Sequence, residues 1–422
     1  MILGATHYAS KFMIVTGPVE KIRKEIWVLL FGAAAIKAAN FMTIPFIAVF
    51  LIKNSQLNSL QVGMIVALSP LASLLGGFFG GQLSDIIGRK VMLFSSLFML
   101  SLIFFGFYLA AGQANIGMKL MLFSLLNAGC GLFSSLFHPV SAALMGDLSP
   151  ARLKGKIYQL RYFSINVGAA LGPVIGGWLG ANASRTNFLH TSYFYLCYAL
   201  ILTAIFIRKS RMESATAVKR SSFKASCRVL AGDRRLQYLI LSGLLFNLCY
   251  SQLESTISQV LVSQFADGVK YFSYMLTANG LTVIVFHAPV YAIGRRVGLN
   301  MSLLAGSVIF ALGMMLMTLQ TWSVFFLFAA IFLISIGEAF VFPVATELIE
   351  RLAPDSLRGS YFGASTFRNL GLAIGPVVGG YVLTHYGPIP LFVFISMTAI
   401  ASAIVALYGE QLAASTTIQQ SI

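Results

Sequence analysis

The sequence predicts an all-α membrane protein of twelve transmembrane helices, arranged as two pseudo-symmetric six-helix bundles. Three observations carry this expectation: an apolar composition, a succession of span-length hydrophobic stretches, and motifs that recur half a chain apart. Of 422 residues, 58% are hydrophobic and 10% charged. A water-soluble core of this size does not hide that much apolar surface, so the bilayer is the main solvent.

A span needs roughly 20 apolar residues to cross a hydrocarbon core of about 30 Å. Such stretches fall at 26–52, 60–84, 91–111, 119–146, 156–180, 190–207, 237–263, 271–293, 299–318, 322–349, 359–384 and 388–408. No soluble domain fits between them. Segment 1–25 carries Lys11, Lys21, Arg23 and Lys24 with no long apolar run or small-residue cleavage site. It is expected to be a cytoplasmic arm rather than a signal peptide.

With that arm inside, the inner connections hold Arg89 and Lys90, then Arg152, Lys154 and Lys156, then Arg295 and Arg296, and finally Arg351 and Arg358. The outer connections hold only Lys53, Lys119, Arg185 and Lys270. The positive-inside rule therefore puts both termini in the cytoplasm, in a plasma membrane or bacterial inner membrane, and requires an even number of spans. The same asymmetry accounts for the net charge of +16 without a nucleic-acid partner. Between Arg208 and Arg235 lie nine Lys or Arg against Glu213 and Asp233. This basic stretch, 208–236, reads as a cytoplasmic linker near anionic headgroups that separates bundle 26–207 from bundle 237–408, with a tail at 409–422. Cys130, Cys197, Cys227 and Cys249 are too scattered for a disulfide framework or a metal pattern.

The halves repeat. Pro139, Val140, Leu144, Leu148, Pro150, Lys154 and Gly155 are matched 204 residues later by Pro343, Val344, Leu348, Leu352, Pro354, Arg358 and Gly359. Likewise Gly168, Gly172, Pro173, Gly176 and Gly177 are echoed by Gly371, Gly375, Pro376, Gly379 and Gly380. Two matches near one register indicate parallel repeats of a six-helix unit.

The turn after the second span reads Gly81-Gln82-Leu83-Ser84-Asp85-Ile86-Ile87-Gly88-Arg89-Lys90. Gly81 permits close helix approach, Asp85 accepts hydrogen bonds or faces a helix N-terminus, and Gly88 permits the reversal before the basic pair. This segment resembles the signature loop of the major facilitator superfamily, with a weaker copy at Gly294-Arg295-Arg296. The resemblance implies that Asp85 and Arg89 help latch the two halves in one access state; the bland alternative makes Arg89 and Lys90 topology signals. The Gly168 to Gly177 run resembles the fifth-span motif of that superfamily's proton-coupled drug antiporters, which implies export. Plain glycine packing explains the same spacing. Two features depart from that branch: no basic residue lies between Phe123 and Gly131, and Lys37 stands where cation exporters often keep an acid.

Ionisable groups at membrane depth are costly and mark functional candidates. They are Lys37, His138, Arg161, Glu254, Glu338 and Arg368, all on spans that the resemblance places around a central cavity. Their bland alternatives are structural ion pairs for Lys37 and Arg161, and a hydrogen-bonded packing role for His138. No phosphate-binding loop, metal cluster or catalytic set stands out, so neither an enzyme, a cofactor nor a metal is expected.

The resulting expectation is a secondary transporter: proton-coupled export of an amphipathic small molecule by alternating access, with protons and the bilayer as its other partners and a monomer as the working unit. An alternative is a carrier of an anionic metabolite or siderophore, in either direction, using the cavity cations. A third is a non-transporting receptor or scramblase on the same fold.

Overall fold

The computed structural model describes residues 22–55, 57–150, 153–178, 184–207, 223–354 and 357–420. The expected arm through residue 21, with Lys11 and Lys21, lies outside the described residues, as do Arg152 and the linker stretch 208–222. So do the side-chain surroundings of Gly81, Asp85, Lys154, Lys156, Gly177, Arg295 and Arg358.

Span 1 consists of helices Lys24–Thr43 and Phe46–Ser55, span 2 is Ser59–Ile87, span 3 Arg89–Ala111, span 4 Ile116–Leu148, span 5 Lys154–Trp178 and span 6 Arg185–Ile207. Helix Phe223–Gly232 precedes span 7, which comprises Arg234–Tyr250, the 3-10 turn Ser251–Leu253 and Thr256–Gln264. Span 8 is Gly268–Val297, span 9 Leu299–Leu316 and span 10 Val324–Leu352. Span 11 comprises Arg358–Ser365, the 3-10 turn Thr366–Asn369 and Leu370–Tyr386, and span 12 is Pro388–Gln420. Among the described residues, nine stretches are long and apolar enough to cross a bilayer. Spans 5, 7 and 11 are not among them: span 5 carries Lys154, Lys156 and Arg161, and 3-10 turns interrupt the other two.

Three stretches read from the sequence as continuous are therefore broken. In span 1, Pro45 offers no N–H to continue the ladder. Spans 7 and 11 break where polar side chains stand in for helical partners. The last helix also runs past 408 to Gln420, through most of the expected tail, and the linker ends in a packed helix whose Val229 and Leu230 lie on the C-terminal core.

Each half has its own core, one assembled from residues between Ile26 and Phe206, the other mainly from residues between Leu236 and Ala406. Equivalent helices pair in both: span 1 with 5 and span 7 with 11, span 2 with 4 and span 8 with 10, span 3 with 6 and span 9 with 12. Across the halves, span 2 packs on span 11 and span 5 on span 8, again as equivalents. The tight turns also match. Gly88 (φ 96°) and Gly298 (φ 88°) each cap the next helix in a left-handed conformation that side chains avoid. Gly298 is thus the counterpart of Gly88, whereas Gly294 lies inside the helix of span 8; the basic pair precedes the turn in the second half and follows it in the first.

The ends of the spans that carry Arg89, Lys90, Arg235, Arg296 and Arg351 form a basic side. Away from it the halves are in tight contact. A Cβ on Gly63 of span 2 would sit 2.0 Å from the Pro376 carbonyl oxygen, and one on Gly380 of span 11 would sit 2.4 Å from that of Ser59. The Leu60 N–H donates to Thr384 Oγ1 at 3.1 Å. Phe46 and Val49, from the second segment of span 1, belong to the core of the other half, with the Phe46 and Phe272 rings 5.1 Å apart, edge to face. The molecule is therefore closed on the side opposite the basic residues. Gly63→Val overpacks this contact, a change that typically costs about 1 to 3 kcal/mol, and should open it. Labelling by an impermeant maleimide of a single cysteine at Tyr250, applied from the closed side, is expected to rise; unchanged labelling in an inserted variant would contradict the assignment.

Candidate functional site

The glycine motifs position the helices that bear the charged residues. A Cβ on Gly168 would meet the Ala34 carbonyl oxygen at 2.2 Å and one on Gly172 that of Ala38 at 2.5 Å, so span 5 lies directly on span 1 around Lys37. In the second half, a Cβ on Gly371 would meet the Leu244 carbonyl oxygen at 2.1 Å, one on Gly375 the Ser251 hydroxyl at 1.9 Å, and one on Gly379 the Gln252 side chain at 2.0 Å. Both copies thus do one job, laying span 5 on span 1 and span 11 on span 7. Pro173 and Pro376 both lie within helices.

Five of the six candidate residues come together at mid-depth. Lys37 holds its ammonium 4.2 Å over the Phe41 ring and lies within electrostatic reach of Glu254, which sits in the break of span 7. His138 of span 4 lies within reach of both Lys37 and Arg161, and Arg161 Nη2 donates to the His138 carbonyl oxygen at 3.3 Å. In the opposing half, Glu338 of span 10 is 6% exposed and within reach of Glu254, with the Asn279 amide of span 8 against its carboxyl. Asn279 Nδ2 also donates to Ser335 Oγ at 2.9 Å. Tyr250 lies among Glu338, Glu254 and Tyr162. Cations therefore line the first half and carboxyls the second. Arg89–Asp147, Arg235–Glu410, Lys270–Asp267 and Arg351–Glu347 form ion pairs, none of which involves the central groups.

Arg368 stands apart. It lies in the 3-10 turn of span 11, with its stem against Gly243 of span 7, in a small pocket with Phe246, Asn247 and Phe342.

A cavity of about 810 Å³ runs from the centre to the basic side between spans 5, 8 and 10. Tyr162, His287, Phe342 and Thr346 line its inner part, and Glu347, Glu350 and Arg351 its mouth. The Tyr162 and His287 rings, 5.5 Å apart, connect the two halves at its wall. Such a cavity fits a drug-sized molecule.

In the signature loop, Arg89 pairs with Asp147 at the end of span 4, within the same half rather than across to the other. Lys90 holds its ammonium 5.8 Å from the Phe206 ring. Sequence reasoning missed Asp147, Tyr250, Tyr162 and Asn279. Asp147 is visible as an acid just past residue 146, where the expected span 4 ends, but the other three carry no charge at neutral pH and so escape a search for ionisable groups.

This arrangement of two six-helix halves around a mid-depth polar site and a one-sided cavity is that of a membrane carrier. The profile of the Major Facilitator Superfamily matches residues 29–271 and 255–418, and the chain belongs to that family. It is 30% identical over 377 residues to the uncharacterized MFS-type transporter YqjV of Bacillus subtilis (strain 168), covering 89% of this chain and 90% of that protein. It is 23% identical over 399 residues to the quinolone resistance protein NorA of Staphylococcus aureus (strain MRSA252), covering 92% and 97% of the two chains. The crystal structure of the nucleoside transporter NupG superposes with a TM-score of 0.75 at 10% identity, over 92% of this chain and 99% of that one, and shows the shared fold. The protein is an integral membrane transporter of small molecules.

The Arg89–Asp147 pair is partly solvated, with side-chain exposures of 23% and 28%, so it belongs with modest surface pairs. A double-mutant cycle of Arg89→Ala and Asp147→Ala, read by thermal unfolding in nanodiscs, should return a coupling of roughly 0.2 to 1 kcal/mol that shrinks in high salt. Strictly additive losses would show that the pair contributes nothing.

Proposed function

We propose that the protein is a proton-coupled exporter of an amphipathic small molecule, working by alternating access with its basic side in the cytoplasm of a bacterial inner membrane. The carrying observation is Glu338: a carboxyl buried midway along span 10, one helical turn before the cavity-lining Phe342, its Oε2 without a hydrogen-bond partner. A charge at the bilayer centre costs about 2.5 to 3.5 kcal/mol on insertion scales. A carboxyl in that position therefore favours a state in which a proton or a cargo group neutralises it, and exchanging one for the other couples the two movements. Glu254, within reach of both Glu338 and Lys37, is the second carrier on the same path. The quinolone resistance protein among the relatives supports export. The basic residues at one end of the spans support the orientation through the positive-inside rule. The family's rocking mechanism then moves the two halves as bodies about the central site, and a monomer contains the whole site.

The anion-carrier alternative draws on Lys37 and Arg161, which meet at His138, and not on Arg368, which lies in its own pocket. Glu338→Gln, which keeps the shape and removes the proton site, is expected to abolish gradient-driven uptake of a lipophilic fluorescent substrate into everted vesicles while still permitting substrate-for-substrate exchange at raised substrate concentration. Full gradient-driven transport by this variant would remove the proton role from Glu338.

A further inference from the structure

Among the described charged side chains, Arg161 and Glu338 alone hold a buried polar atom with no hydrogen-bond partner, Nε in the first case and Oε2 in the second. They are of opposite sign and stand on opposing halves. Tyr162, which follows Arg161 in span 5, and Phe342, one helical turn after Glu338 in span 10, both line the inner part of the basic-side cavity, so the two groups flank its inner end from opposite halves. Lys37 and Glu254 repeat the polarity one layer away: a cation on span 1 facing an acid in the break of span 7, within reach but not in direct contact. Buried groups of opposite sign that served only to neutralise one another gain most by closing to hydrogen-bond distance, because attraction in a low-dielectric interior rises steeply as they approach. Here they are held apart with donor and acceptor atoms left over.

We infer that the cargo is dipolar: an amphipathic molecule carrying an anionic group that Arg161 and Lys37 receive, and a cationic group that Glu338 and Glu254 receive. This rests on the transport function proposed above and names the substrate class of the same site. A singly charged cargo leaves the buried charge of one half uncompensated, whereas a dipolar cargo meets both. The planar guanidinium of Arg161, with His138 fixing it through the backbone carbonyl, suits a carboxylate or phosphate. The aromatic wall of Tyr162, His287 and Phe342 suits the flat apolar body between the two charges.

The test uses full-length protein in nanodiscs and three probes on one skeleton: a fluorescent arylpiperazine carboxylic acid, its methyl ester, which keeps only the positive charge, and its N-acetyl derivative, which keeps only the negative one. The parent acid is expected to bind at least about tenfold more tightly than either derivative, as one charge-assisted hydrogen bond implies. Arg161→Gln should erase its advantage over the ester, Glu338→Gln its advantage over the N-acetyl compound, and Arg161→Lys should recover part of the first loss. Equal or tighter binding of a singly charged derivative, no binding of any probe, or variants that weaken all three probes alike would overturn the inference. Proton movement in liposomes is read separately. Proton flux driven by the ester and not by the parent acid refutes the dipolar cargo and leaves the transport function standing, while tight binding of the parent acid without any proton flux supports the cargo class and refutes the coupling.

Discussion

In the hydrocarbon layer no water is available to bond an exposed backbone N–H or C=O, and the rest of this structure depends on how that constraint is met where helices break. The breaks of spans 1 and 11 are served by side chains from a neighbouring span, and that of span 7 by its own side chains. Before Pro45, Asn187 Nδ2 donates to the Met42 carbonyl at 2.5 Å and Thr191 Oγ1 to that of Ala39 at 3.4 Å. Around the break of span 7, Gln252 Nε2 donates to the carbonyls of Leu248 at 2.9 Å and Gly375 at 2.8 Å, while Gln259 Nε2 donates to that of Ser255 at 3.1 Å. In span 11, Asn247 Nδ2 donates to the Arg368 carbonyl at 3.1 Å. The polar residues of span 7 that make it a weak membrane segment by composition are those that make the breaks tolerable.

The breaks in turn build the site. The turn in span 7 carries Glu254, within electrostatic reach of Lys37, and the kink in span 1 frees Phe46–Ser55 to lean on the opposing half. The glycine motifs contribute by close approach: with no Cβ in the way, spans 5 and 11 lie against spans 1 and 7, so that Arg161 and Lys37 belong to one wall. Charge separation between the two halves follows from this packing, since they are repeats with the same helices and central residues of opposite sign.

How much of this the sequence discloses varies by element for physical reasons. The span pattern and the two halves are legible because hydrocarbon thickness fixes segment length and the repeat fixes the register. Lys37, His138, Arg161, Glu254 and Glu338 are legible because an ionisable group within an apolar stretch is costly. Arg368 satisfies the same criterion and yet lies in a separate pocket: a 3-10 turn advances 3.0 residues per turn in place of 3.6, which shifts its direction relative to a continuous helix, and Gly243 leaves room for its stem. The breaks themselves, apart from Pro45, depend on long-range hydrogen bonds that no local pattern reveals. The same holds for Asn279, whose role comes from lying against Glu338, and for Gly298, whose equivalence to Gly88 rests on backbone conformation rather than on the neighbouring basic pair.

Phe46 and Val49, 1% and 0% exposed, are rooted in span 1 and buried in the core of the other half. In the rocking cycle proposed above, these side chains leave that core each time the closed side parts. The reorientation of the empty carrier thus includes hydration of apolar surface that loaded carrier can cover with the body of its cargo. Hydrating apolar surface carries a positive heat-capacity change, so the empty carrier's return step acquires a curved temperature dependence that the loaded step lacks. A cargo-free cycle is thereby slowed by the same ring contact that holds the two halves closed.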